Sequence, residues 1–151
     1  QTDDYSSMVC FDFELSDEVK DATKQRVTDI MNIIYNAAYS NAPVTGLEQF
    51  LTPEALAQVE GYYGYVQESF LPWEPVDLKI LSGQGAVEQV ELYEQENTTL
   101  SYAVDGSGVT QCKYRAYEDA KKRKEDCSSH VYGYVQISFI DGQWWITSIT
   151  E

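Results

Sequence analysis

The chain has 151 residues, a hydrophobic fraction of 43% and an aromatic fraction of 13%, enough for one domain with a buried core and too apolar for a disordered segment. Its net charge of −15 argues against a nucleic-acid or anionic-membrane surface, which Lys and Arg would have to supply. No apolar run reaches the length of a membrane span; the longest, around Ile30 to Tyr39, is broken by Asn32 and Asn36.

Gln1 opens the chain with no signal-like segment behind it, so either an export signal has been removed or there was none. Residues 1–15 read as a polar arm in which Val9, Phe11, Phe13 and Leu15 alternate, as in a short strand; residues 16–151 read as a single domain. Ser16 is an expected N-cap, with Asp17 and Glu18 favourably placed at the positive end of a helix dipole. Val19, Thr23, Val27, Ile30, Ile34 and Ala38 recur every three or four residues, and Met31 and Tyr35 widen that stripe. Asn41-Ala42-Pro43 ends the helix, because Pro disfavours helical geometry in the residue before it.

Leu47 to Leu51 predicts one or two helical turns. Thr52-Pro53 then starts a second helix, with Leu56, Val59, Tyr63, Val66 and Phe70 at helical spacing and Leu71 to Pro75 closing it. Beyond it the pattern is strand: Val76 to Ser82, Val87 to Gln95, Thr99 to Val104 and Val109 to Tyr117, separated by Gly- or Asn-containing turns such as Asp105-Gly106-Ser107-Gly108. Val131 to Ile140 and Gln143 to Thr150 form a last hairpin about Asp141-Gly142, a dipeptide suited to a type I′ turn. That register sets Phe139 opposite Trp144, Ile137 opposite Ile146 and Val135 opposite Ser148, with Trp144 and Ile146 anchoring the sheet. Tyr134, Ser138, Trp145, Thr147 and Ile149 fall on the other face. Helices first and strands after predict an α+β domain with an antiparallel sheet. Tyr63 to Phe70 (YGYVQESF) and Tyr132 to Phe139 (YGYVQISF) agree at seven of eight positions, yet their settings predict helix for the first and strand for the second.

The long first helix (Ser16 to Tyr39), the Thr-Pro-Glu-capped second helix (Leu47 to Phe70) and the closing Asp141-Gly142-Gln143-Trp144-Trp145-Ile146 together resemble the nuclear transport factor 2-like (cystatin-like) superfamily. Among its members the chain looks most like small exported or lipoprotein domains of Gram-positive bacteria. The resemblance implies N-terminal helices packed on a strongly bent antiparallel sheet of about five strands, enclosing a conical cavity. That shape hosts isomerases and dehydratases, ligand carriers and assembly domains, so it leaves function open.

Cys112 and Cys127 flank a charged turn, and pairing Glu118 with Lys121 would set them directly opposite. That favours a disulfide, and with it a secreted or cell-surface location; reduced core thiols are the alternative. Cys10, in an apolar run, reads as a buried thiol. With one His and no Cys-x-x-Cys, no metal site is expected, and no cofactor motif is found: Gly83-Gln84-Gly85 lacks the downstream glycine and helix of a phosphate loop. Glu88, Glu91, Glu94 and Glu96 along one strand read as a solvated edge before a calcium site, and Lys121 to Lys124 as a solvated hairpin tip. Asn97-Thr98-Thr99 matches a glycosylation acceptor.

An enzyme would need a carboxylate in an apolar cavity beside Tyr or His donors, and neither Asp29 nor His130 reads as such a group. A binding role rests on surplus aromatics as ligand-cavity candidates: Tyr35, Tyr39, Tyr62, Tyr65, Trp73, Tyr132, Tyr134 and Trp145. The expectation is a non-enzymatic, exported domain taking a small apolar ligand or a protein partner, a homodimer through the sheet included; the alternative is a small-molecule isomerase or dehydratase.

Overall fold

The computed structural model describes residues 15–71 and 74–151. The expected N-terminal strand, the Cys10 thiol and Trp73 therefore lie outside the described residues, apart from Leu15, which is buried. Two helices, α1 (Asp17–Ser40) and α2 (Pro53–Glu68), precede four strands, β1 (Val76–Glu96), β2 (Thr99–Arg115), β3 (Lys122–Ile140) and β4 (Gln143–Thr150). The strands form one antiparallel sheet in the order β1-β2-β3-β4, an α+β architecture. Helix α1 packs mainly on β1 and β2, and α2 on β4 and α1. No described helix is long and apolar enough to cross a membrane.

Both helix starts follow the local chemistry. Ser16 Oγ accepts from Val19 N and Thr52 Oγ1 from Ala55 N, each cap satisfying an otherwise unpaired donor of the first turn. Asn41 ends α1 in the left-handed region at φ 57°, its amide returning to Ala37 and Ala38 carbonyls. The buried side of α1 is the expected stripe, extended by Ala37 and Tyr39. In α2 the buried side is Ala55, Val59, Tyr62 and Val66, rotated by one residue from the expected Leu56 and Tyr63. The 47–51 segment makes a single turn, then runs parallel to β4. Ile146 N donates to Phe50 O and Thr52 N to Ile146 O, each at 2.9 Å, which covers that edge of the sheet.

The sheet has four long strands among the described residues where about five were expected. The glycine-rich stretches at 83–86 and 105–108 are strand interior, not turns. Their glycines are positions of close approach, because the rings of Tyr35 and Tyr39 occupy the space a Cβ would take at Gly85, Gly106 and Gly108. Turns occur instead at Asn97 and at Asp141-Gly142, whose φ angles of 48° and 87° are those of a type I′ hairpin.

The last hairpin pairs Phe139 with Trp144 and Ile137 with Ile146, as expected. A bulge at Gln136/Ile137 then sets Val135 opposite Ile149 instead of Ser148 and turns Ile149 into the core at 1% exposure. Trp144 is only half-buried; Ile146 is the residue sealed inside.

The disulfide expected between Cys112 and Cys127 is not formed: both are buried free thiols. The β2–β3 hairpin closes with Arg115 opposite Lys122, so Cys127 faces Thr110 and Cys112 faces Glu125, leaving the sulfurs diagonal to each other. Burial, then contact with Cys127, pushes the Cys112 thiol up to about 12.

Candidate functional site

The interior between helices and sheet is built from tyrosines. Tyr35 and Tyr39 lie one turn apart on α1, and Tyr62 projects from α2; all three are buried. Tyr39 lies on the directly paired glycines Gly85 and Gly108, Tyr35 on Gly106, and the Tyr62 hydroxyl above Gly133. Any side chain at these positions would displace a ring, so the sheet supplies a bare backbone floor for aromatic faces.

Their hydroxyls form a directed chain. Tyr62 donates to the carbonyl of Tyr132 at 2.9 Å, so its oxygen accepts from Tyr35, 2.7 Å away. Desolvation dominates in raising both phenols above their ordinary range. Both are therefore neutral donors at physiological pH. Tyr39 bonds Ser129 and packs against Phe70 at a centroid distance of 4.7 Å. Tyr102, on β2, meets Thr23 at 2.8 Å and the Lys20 carbonyl at 3.1 Å, while Tyr114 donates to Glu125 at 2.6 Å. These last two were passed over in the sequence, although Leu100, Tyr102 and Val104 alternate inward as core residues should.

The seven aromatic candidates among the described residues do not converge on one cavity. Tyr35, Tyr39 and Tyr62 fill the interior, and half-buried Tyr65 rests against Tyr62 with centroids 5.7 Å apart. Tyr132 and Tyr134 lie on the opposite, outer face of the sheet at 54% and 45% exposure, and half-buried Trp145 is paired with Ser138. No Asp or Glu is buried among the described residues; the buried polar side chains are Thr23, Ser101, Thr110 and Ser138. Nor do three His, Cys, Asp or Glu side chains gather as a ligand set among those residues. Glu88 instead accepts from Ser107, and His130 stacks on Tyr132 with ring centroids 5.0 Å apart.

The outer face is strongly polarised along the strands. Near the Thr99 end, Glu91, Ala103 and Tyr134 lie in one row across β1, β2 and β3, with Gln89, Asp105 and Tyr132 in the next. Tyr93, another residue the sequence gave no reason to single out, meets Tyr134 edge-on at 5.9 Å. Near the Arg115 end, the cross-strand row is Lys79, Lys113 and Lys124, followed by Arg115 and Lys122. Seven of the chain's ten basic residues are Lys79, Lys113, Arg115 and Lys121 to Lys124. Like charges set directly opposite each other destabilise a strand pair, and of these only Arg115 has an ion-pair partner among the described residues, in Asp77 and Glu118. The 121–124 stretch is the exposed hairpin tip that was expected, and its Lys122 and Lys124 add to the cationic end of a face whose other end is acidic and aromatic.

Compared with known proteins, the chain matches no family model, no curated protein and no solved structure.

Proposed function

We propose that this chain is a non-enzymatic assembly domain, exported and of the nuclear transport factor 2-like cone type, which pairs with a second copy through the outer face of its sheet. The observation that carries the reading is the polarity of that face. A two-fold axis near Val109, itself 48% exposed, would lay the Lys79–Lys113–Lys124 row of one copy over the row of Asp105 and Tyr132 on the other. Each contact would then occur twice, lysine against carboxylate and lysine over a tyrosine face. At physiological ionic strength charges interact over about 8 Å, so touching pairs keep their attraction while the repulsion between two acidic bodies is screened.

The filled interior favours the same reading. Proton abstraction from a substrate needs a cavity carboxylate, and the tyrosines that would assist it are packed against glycines and bonded to one another. With the thiols free, the cysteines give no support to export, which rests on the resemblance alone.

Sedimentation equilibrium over a concentration series tests the pairing. The wild type is expected to dimerise, and Lys113→Glu/Lys124→Glu to remain monomeric with an unchanged circular dichroism spectrum. Asp105→Lys/Glu91→Lys should also be monomeric, and mixing the two variants should restore a heterodimer. A wild type that stays monomeric up to millimolar concentration, or a dimer indifferent to both reversals, would overturn the proposal.

A further inference from the structure

A second surface, between α2 and the connection that joins the helices, owes nothing to the dimer. Because the buried side of α2 is rotated by one residue, Leu56, Val59, Glu60 and Tyr63 form a stripe facing the connection between the helices. Together with Val44 and Leu47 they line an open groove of about 380 Å³. Leu47 and Val59 give it a buried apolar floor, and Leu56 leaves a wall that is 36% exposed.

Every charge on this groove is negative. Glu48 and Glu60 line it, both exposed and neither with a hydrogen-bond or ion-pair partner among the described residues. Helix α1 ends just before Pro43 with no basic residue in its last turn, so no side-chain cation of that turn offsets the negative end of its dipole. Tyr63 fixes this end in place by donating to the carbonyls of Ala42 at 2.8 Å and Ala37 at 3.3 Å. An apolar trough rimmed by two free carboxylates and a helix C-terminus fits an apolar body carrying one positive charge, and repels an anion of the same shape.

We propose that this groove binds a small hydrophobic amine, its hydrocarbon body against Leu47, Leu56 and Val59 and its ammonium between Glu48 and Glu60. The −15 charge of the whole chain further raises the local concentration of such cations.

The test is a set of amide chemical-shift titrations with 2-phenylethylamine, the isosteric neutral 2-phenylethanol and the anionic 3-phenylpropionate. The amine is expected to give saturable shifts at Val44, Leu47, Leu56, Val59 and Tyr63, with a dissociation constant on the order of 1 mM or below, as suits so small a ligand. The alcohol should bind about five- to tenfold more weakly and the carboxylate not measurably. Glu48→Gln/Glu60→Gln, two exposed changes that leave the fold alone, should bring the amine down to the level of the alcohol. Leu56→Trp should fill the groove and abolish binding by both. Equal binding of amine and alcohol unaffected by the Gln pair, shifts centred on the sheet face, or no saturable shift at millimolar amine would each overturn the proposal. A dimer that fails to form would leave these titrations untouched.

Discussion

Tyr63–Phe70 and Tyr132–Phe139 share seven of eight residues, yet one finishes α2 and the other runs through the last part of β3. What differs is what surrounds each copy. The first lies downstream of the Thr52-Pro53 cap, which has already set helical geometry, and its Val66 joins Val59 and Tyr62 on one buried side. The second is hydrogen-bonded on both edges, to β2 and β4, and has Asp141-Gly142 at its end to fix the register. The one unlike position records the outcome: Glu68 meets water on the helix, whereas Ile137 is wholly buried in the sheet. Local propensity is too weak to decide between the two forms, and partner contacts decide it.

Exchanging the unlike residues should give the largest asymmetry. Ile137→Glu places a carboxylate with no partner into the core and is expected to cost about 5 kcal/mol or more, enough to unfold the domain. Glu68→Ile should stay within about 0.5 kcal/mol, as exposed substitutions do. Urea denaturation followed by circular dichroism reads both, and comparable losses would mean the two copies have been given the wrong environments.

The final phenylalanine separates the copies by a smaller margin. Phe70 is 3% exposed and packs on Tyr39, so Phe70→Ala should cost about 3–5 kcal/mol. Phe139 is 44% exposed and touches Trp144 at a centroid distance of 5.3 Å, so Phe139→Ala should cost only about 1 kcal/mol. Urea midpoints shifted equally by the two substitutions would contradict this ordering.

Features that depend on a few neighbouring residues were legible in the sequence: the Ser16 and Thr52 caps, the Asn41 stop, the Asp141-Gly142 turn and the opposite fates of the two octapeptides. Features that depend on a distant partner were not. Gly85, Gly106 and Gly108 look like turn residues until Tyr35 and Tyr39 are placed on them, because glycine marks both a sharp turn and a close approach. The six residues Ala116 to Lys121 between β2 and β3 set the register of the hairpin, and a tighter turn there was what made the cysteines appear to be direct partners. The candidate surfaces were hidden for the same reason. Lys79, Lys113 and Lys124 are scattered along the chain and become a row only through two strand registers. Leu56 and Tyr63 read as core until the rotation of α2 turns them to the groove.

The second residue of the octapeptide gives the smallest effect and the sharpest contrast, since the same substitution should change sign between copies. At Gly133 a Cβ would sit 2.5 Å from the Tyr62 hydroxyl, whose oxygen is held by Tyr35 and by the Tyr132 carbonyl. Gly133→Ala must push that ring away and break at least one of its bonds, at a cost of about 2 kcal/mol. At Gly64 nothing lies within 4 Å of the added carbon, and the residue is interior to α2. Alanine there removes only the conformational freedom of glycine in the unfolded chain, so Gly64→Ala should stabilise by about 0.5–1 kcal/mol. Thermal midpoints measured on the two single variants and the wild type test the contrast directly. A Gly133→Ala protein as stable as the wild type would show that the Tyr62 hydroxyl does not rest on the strand, and the tyrosine chain built from it would fall with that result.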